Sequence, residues 1–68
     1  MKFAVLIDKG PKSYGAHVPD LPGCVAVGKT LREVKKLIGE ALALHLEDMR
    51  KTKQRIPKPS TLCEYVEV

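Results

Sequence analysis

The sequence predicts an α+β fold with the element order β-β-β-α-β, in which one helix covers one face of a mixed four-stranded sheet of strand order 3-2-1-4. Three observations predict it: short apolar or alternating runs between Gly and Pro turns, one amphipathic helical pattern after them, and a last β-prone segment beyond a proline-rich stretch. A chain of 68 residues makes one domain, residues 1–68, whose small core usually needs disulfides, a metal or a partner chain for stability, and a partner chain is the leading expectation.

Two patterns predict the first two strands. Residues 3–7 form a continuous apolar run, which favours a strand that is apolar on both faces. Residues 13–18 alternate instead, with Tyr14, Ala16 and Val18 on one face and more polar residues on the other. This alternation indicates a second strand, joined to the first by a short hairpin loop.

A turn motif follows the second strand and consists of Pro19, Asp20, Leu21, Pro22 and Gly23. Pro22 and Gly23 suit the two central positions of a type II turn, because proline presets φ and glycine accepts a positive φ. The motif is either a recognition loop or a tight strand connection, and we favour the structural role. A short third strand over residues 24–27 comes next.

A capping box at Thr30 and Glu33 marks the start of the helix. Thr30 should accept a hydrogen bond from the backbone N–H of Glu33, whose carboxylate should reach back to the Thr30 N–H. The helix should end at about Lys51 or Thr52, because the prolines of residues 56–59 cannot be helical. Its apolar stripe consists of Val34, Leu37, Ile38, Ala41, Leu42, His45 and Met49.

Residues 61–68 predict a fourth strand, which should lie parallel beside the first strand and make that strand central. One helix covers only one face of such a sheet, so the other face should be an exposed apolar patch, and such patches usually mark interaction sites. We therefore predict a homodimer, a tight hetero-partner, or both. The candidate surface consists of Phe3, Ala4, Val5, Leu6, Ile7, Leu44 and Leu46.

Composition points to a soluble protein of the cytoplasm. The apolar run near the N-terminus is too short for a signal peptide or a membrane span. Cys24 and Cys63 are compatible with one long-range disulfide or with two free, partly buried thiols, and we favour the thiols. The net charge of +4 is a modest basic excess that does not by itself indicate nucleic acid as a partner.

The residue pattern does not predict an enzyme, a metal site or a cofactor. Neither His17 nor His45 has a second ligand at metal-binding spacing. The carboxylates form no cluster of the kind that binds two metal ions in nucleases. An active nuclease, with Asp8 at the end of the first strand as its acid, is the least favoured reading.

A basic stretch spans residues 50–58, with five basic residues and no acidic one. It indicates either a solvated helix end, where basic residues favourably oppose the helix dipole, or a contact with nucleic-acid phosphates. We favour the helix end, since no aromatic residue is interleaved to stack on bases. The candidate nucleic-acid or acidic-partner contacts are Arg50, Lys51, Lys53 and Arg55.

The order and spacing of these motifs resemble one family. Tyr14 in the second strand, the turn at residues 19–24, the helix entry at residues 28–33 and the segment at residues 56–60 resemble the N-terminal domain of HicB-type antitoxins. The resemblance implies a partial ribonuclease-H-like fold that lacks catalytic carboxylates. Many relatives carry a C-terminal DNA-binding domain, and we expect none in this chain, which ends at Val68.

The predicted function is that of a HicB-like antitoxin or an orphan relative, without catalysis or cofactor. The resemblance implies that it neutralises a HicA-type toxin, a small mRNA-cleaving protein, by protein–protein association. The alternative is a nucleic-acid-binding module that uses residues 50–58.

Overall fold

The computed structural model describes residues 2–67. Three strands come first, β1 (Leu6–Lys9), β2 (Tyr14–His17) and β3 (Val25–Gly28), and one helix follows, α1 (Leu31–Lys51). The strands form an antiparallel sheet in the order β1-β2-β3. The α+β class, the three-strand meander and the helix that ends at Lys51 confirm the sequence prediction for this part of the chain.

Cross-strand register gives the sheet two different faces. Ile7, Ala16 and Ala26 lie opposite one another on the face that packs against the helix. Leu6, His17 and Val25 form the neighbouring row, and they point to the other face because successive side chains of a strand alternate. The predicted alternation of residues 13–18 is therefore confirmed, since Ala16 and Val18 are buried while His17 is only half-buried.

The core lies between α1 and the sheet. Within residues 2–67, the helix approaches β3 and β2 most closely, and Ile7 of β1 packs on the same core. Val34 and Ile38 are the buried helical residues, and half-buried residues farther along the predicted stripe pack around them. The buried core consists of Ala16, Val18, Leu21, Cys24, Val34 and Ile38.

Backbone groups at both ends of α1 are satisfied locally. At the N-terminus the Glu33 N–H donates to Thr30 Oγ1 at 3.0 Å, as predicted. The Glu33 carboxylate, however, accepts from the Lys29 N–H at 3.2 Å and not from that of Thr30, which is a small correction. At the C-terminus the N–H groups of Gln54 and Lys53 close on the carbonyls of Met49 and Arg50, which is a Schellman arrangement with Lys53 in the left-handed region at φ 58°.

The predicted fourth strand is not formed in the described residues. Residues 61–67 have no regular secondary structure, and Val68 lies outside the described residues. The sheet is therefore purely antiparallel with β2 at its centre, not mixed with the order 3-2-1-4, and it does not show the ribonuclease-H-like relation. One physical reason lies at the start of the predicted strand, where the backbone N–H groups of Ser60 and Thr61 donate to the Asp20 carboxylate and not to a neighbouring strand.

The first strand is also shifted, to Leu6–Lys9 in place of residues 3–7. A tight turn sets this register, because the Gly10 N–H donates to the Ser13 carbonyl at 2.7 Å and closes the hairpin directly after Lys9. Asp8 and Lys9, which follow the predicted strand of residues 3–7, thus belong to β1 and pair with Gly15 and Tyr14.

Gly28 brings β3 close to the helix and provides a stability prediction. A Cβ at Gly28 would lie 2.7 Å from the Val34 nitrogen and 3.0 Å from its Cα, both backbone atoms that cannot move cheaply. We expect Gly28→Ala to destabilise the domain by about 1–3 kcal/mol in urea unfolding, as overpacked substitutions do.

The matched control is Gly39→Ala. In residues 2–67 no heavy atom outside the local helix lies within 4 Å of a Cβ at Gly39. This exposed helical position should therefore gain about 1 kcal/mol from the better helix former. Equal effects of the two substitutions would contradict the close approach at Gly28.

Candidate functional site

The carboxylate of Asp20 holds the chain after the helix to the loop between β2 and β3. Asp20 Oδ2 accepts from the backbone N–H groups of Ser60 at 3.0 Å and Thr61 at 3.1 Å. Asp20 Oδ1 accepts from the hydroxyls of the same two residues, at 3.0 Å and 2.8 Å. Four hydrogen bonds thus join residues 40 and 41 positions apart in the sequence.

Two consecutive turns place Asp20 at the surface while they bury its neighbour. The Leu21 N–H donates to the Val18 carbonyl at 3.0 Å, and the Cys24 N–H donates to the Leu21 carbonyl at 3.1 Å. The second turn has proline and then Gly23 at its centre, and Gly23 has a φ of 88°, so the predicted type II turn is confirmed. Leu21 is buried in the core between the two turns, which supports a structural role for the motif.

The hydrogen bonds also change the acidity of Asp20. The backbone N–H of Thr61, followed by the Thr61 hydroxyl, lowers the pKa of Asp20 from 3.8 to about 2. Desolvation opposes this shift, and the two donors of Ser60 add to it. Asp20 is therefore ionised at neutral pH, and its negative charge strengthens all four hydrogen bonds.

Beyond Thr61 the chain becomes exposed although it is apolar. We call residues 62–67 the C-terminal segment. The exposed fractions of Leu62, Tyr65 and Val66 are 85%, 99% and 82%. Glu64 and Glu67 give this segment two negative charges and no positive one. An apolar segment that contacts so little of its own chain is a candidate binding element.

A second candidate surface is the sheet face that α1 leaves uncovered. We call it the open face, and its residues are Leu6, Asp8, Gly15, His17, Val25 and Val27. Val25 and Val27 are 62% and 67% exposed, and Leu6 is 40% exposed. Apolar groups of this size on a small sheet form the patch that the single covering helix predicts.

The residues predicted for the partner surface are divided between the core and the exterior. Phe3, Val5, Ile7 and Leu46 pack against the buried core, and Ala4 is half-buried. Leu6 lies on the open face, whereas Leu44 is exposed on the helix, which is on the other side of the sheet. The structure thus does not join Leu44 to the open face as one surface.

The four predicted basic contacts all lie exposed at the end of the helix and just beyond it. Lys51 pairs with Glu47 at 3.2 Å, one helical turn earlier. Arg50 lies in the last turn, while Lys53 and Arg55 follow the helix. Their side chains are grouped closely enough in sequence to present positive charge together, on a helix end whose dipole they also oppose.

Neither thiol is part of a disulfide. Cys24 lies in the core, where burial raises the pKa of its thiol, and Cys63 is exposed in the C-terminal segment. Among residues 2–67 there is no group of three His, Cys, Asp or Glu side chains that could hold a metal ion. The described helix is not long and apolar enough to cross a membrane.

Sequence reasoning did not foresee the contact of Asp20 with Ser60 and Thr61. Asp20 was assigned to the turn and residues 61–68 to a strand, so both partners were placed in elements with other tasks. A weak signal was available, because two successive hydroxyl residues directly after a proline-rich stretch offer two hydroxyl donors in addition to their backbone N–H groups. Nothing in the sequence connects such donors to an acceptor 40 residues earlier.

The Asp20 contacts predict a pH-dependent attachment. A carboxylate with a lowered pKa contributes stability above its unfolded value of 3.8, and this contribution is lost as the pH falls through about 2. Hydrogen exchange at the Ser60 and Thr61 amides should therefore accelerate in Asp20→Asn, and the drop in unfolding free energy between about pH 5 and about pH 2 should be smaller than in the unchanged chain.

The matched control is Asp8→Asn, which neutralises an exposed carboxylate on β1. It should leave the exchange of both amides unchanged. Unaltered exchange in Asp20→Asn would show that these four hydrogen bonds do not hold the chain.

Comparisons with known proteins agree with this arrangement of motifs. A family model described as "HicB_like antitoxin of bacterial toxin-antitoxin system" matches residues 3–68. An uncharacterised 14.9 kDa protein of Haemophilus phage HP1 is 33% identical over 66 residues, which cover 97% of this chain and 50% of the phage protein. The chain thus spans only half the length of that relative.

Other relatives are closer to this chain in length. A UPF0150 protein of Thermoplasma acidophilum is 39% identical over 59 residues, which cover 85% of this chain and 86% of the relative. A UPF0150 protein of Helicobacter pylori is 41% identical over 49 residues, covering 72% and 68%. No solved structure matches the chain. Because the family model covers nearly the whole sequence, the chain belongs to the HicB-like antitoxins of bacterial toxin–antitoxin systems.

Proposed function

We propose that this protein is a non-catalytic cytoplasmic antitoxin that binds and neutralises a HicA-type mRNA-cleaving toxin, and that it acts as a homo-oligomer. The observation that carries the proposal is the open face, an apolar sheet surface that α1 leaves uncovered in a chain of this family. An antitoxin that works by association needs such a surface, because burial of apolar area is the main source of affinity between proteins.

We place the toxin contact on the open face and not on the helix. Val25 and Val27 lie on a strand that is held from behind by α1, so these side chains are presented by a rigid support. Binding to such a preformed surface costs little conformational entropy. Asp8 lies at the β1 edge of this face and His17 lies between Leu6 and Val25, so both offer polar contacts beside the apolar groups.

A binding experiment with paired variants tests this proposal. The probe is the product of the neighbouring small reading frame, in a catalytically inactive form, titrated against this protein by calorimetry. We expect Val25→Glu combined with Val27→Glu to weaken binding at least about tenfold, because central apolar contacts dominate interface energies.

Leu44→Glu is the matched control, since Leu44 is as exposed as Val27, at 68% against 67%, but lies on the helix. It should leave the affinity unchanged. A toxin that does not bind the unchanged protein at micromolar concentration would refute the function, whereas an effect of Leu44→Glu alone would move the contact to the helix.

The second candidate function is nucleic-acid binding at the end of α1. It is favoured by the exposure of Arg50, Lys53 and Arg55, for which no ion pair is seen in the described part of the chain. The measurement is the affinity for a short RNA or DNA duplex as a function of salt. Under this function the affinity falls steeply with salt, with a logarithmic slope near −0.9 for each phosphate contacted.

The variant for this test replaces Arg50, Lys51, Lys53 and Arg55 with glutamine. It should abolish most of the salt dependence if these residues contact phosphates, and replacing Lys35 and Lys36 with glutamine is a control of the same kind on the exposed helix surface. Binding that is absent, or insensitive to salt, would exclude this second function.

A further inference from the structure

The C-terminal segment has the pattern of a strand without a sheet to join. Three of its six residues, Leu62, Tyr65 and Val66, are large apolar groups that are more than four-fifths exposed. Aromatic and β-branched residues such as Tyr65 and Val66 favour a strand. The segment nevertheless has no regular secondary structure in residues 62–67.

The same molecule has a free sheet edge, at β1, that can accept a further strand. β1 is an outer strand of the sheet, so one row of its N–H and C=O groups has no partner in the described residues. Phe3 and Val5 continue the inward-facing pattern of Ile7 and pack on the core, which extends this edge toward the N-terminus. The opposite edge, β3, turns directly into the helix after Gly28.

Charge favours the same pairing. The C-terminal segment carries two negative charges in a chain whose net charge is +4. Lys2 and Lys9 flank the β1 edge, and Lys12 follows in the hairpin turn. An acidic apolar strand and an apolar edge bordered by lysines are complementary in both respects.

Asp20 holds the start of the C-terminal segment at the loop between β2 and β3. It fixes Ser60 and Thr61 there, and Pro57 and Pro59 stiffen the connection from the helix. Beyond this hold the segment is not paired with β1 in the described residues, where the sheet has three strands. The chain is elongated: its radius of gyration is 13.1 Å and its longest extent 40 Å. A compact chain of this length has a radius of gyration of about 11 Å.

We propose that the C-terminal segment of one copy adds as a strand to the β1 edge of a second copy, and that two copies exchange their segments in this way. The exchange completes in trans the fourth strand that the sequence predicts, and it pairs the N–H and C=O groups that the outer edge of β1 leaves without a partner in the described residues. This inference rests on the homo-oligomeric part of the proposed function and makes it specific.

Light scattering at about 50 μM gives the first test, using the full chain. The unchanged protein should have the mass of a dimer, and replacing Leu62, Tyr65 and Val66 with serine should raise the dimer dissociation constant at least about tenfold. These side chains lie outside the core, so circular dichroism and thermal unfolding should show the same folded domain. Leu44→Ser, at an exposed leucine on the helix, should leave the dimer intact.

Cross-linking decides which chain the segment joins. The thiol of Cys63 is exposed in the segment, whereas Cys24 is buried. A chain with Lys9→Cys and Cys63→Ser is mixed with the unchanged protein and treated with a short bismaleimide. The proposal predicts a product of twice the chain mass that contains one chain of each kind, and Leu44→Cys in place of Lys9→Cys should not give it.

The outcomes that overturn the proposal are equally specific. A chain with Lys9→Cys alone that gives a cross-linked product of single-chain mass would show that the segment pairs with its own β1. A monomer without any cross-link would show that the segment joins neither. A serine variant that is monomeric yet binds the toxin would show that strand exchange and toxin binding are separate. A protein that dimerises but does not bind the toxin would refute the proposed function and leave the strand exchange standing.

Discussion

Helix α1 lies across β3 and β2, and its position is set by Gly28, whose missing side chain lets the Val34 backbone approach β3. Val34 and Ile38 then fill the space above Ala16 and close the core. One helix of 21 residues covers only one face of the three-stranded sheet. The open face follows from this single covering layer, so the core that stabilises the domain also determines where a partner can bind.

The parts of the fold that could be predicted depend on contacts between residues close in sequence. The alternation around Ala16, the type II turn with Gly23 and the Thr30 cap are each determined within a few residues, and the structure confirms them. The prediction of a fourth strand was wrong for a different reason. The residue types of 61–68 favour a strand, but a strand also requires a sheet edge to pair with, and the first N–H groups of this stretch donate to the Asp20 carboxylate.

The same distinction applies to the candidate surfaces. A continuous apolar run predicts that Phe3 to Ile7 are apolar on both faces, and the structure divides them, with Phe3 and Val5 on the core and Leu6 on the open face. The hydrogen bonds of Asp20 with Ser60 and Thr61 could not be inferred, since no local pattern connects an acceptor in one loop to donors in another. Family membership supplies the class of partner, while the structure supplies the surfaces on which a partner can be sought.

The separation of Asp20 from Ser60 by 40 residues has a consequence for the order of events during folding. The three strands form from successive hairpins, and the helix packs on the two strands nearest to it in sequence, so this body can fold early and fast. The attachment at Ser60 closes a long loop, whose entropy cost delays it. A folding chain therefore has its β1 edge formed while its own C-terminal segment is still unattached.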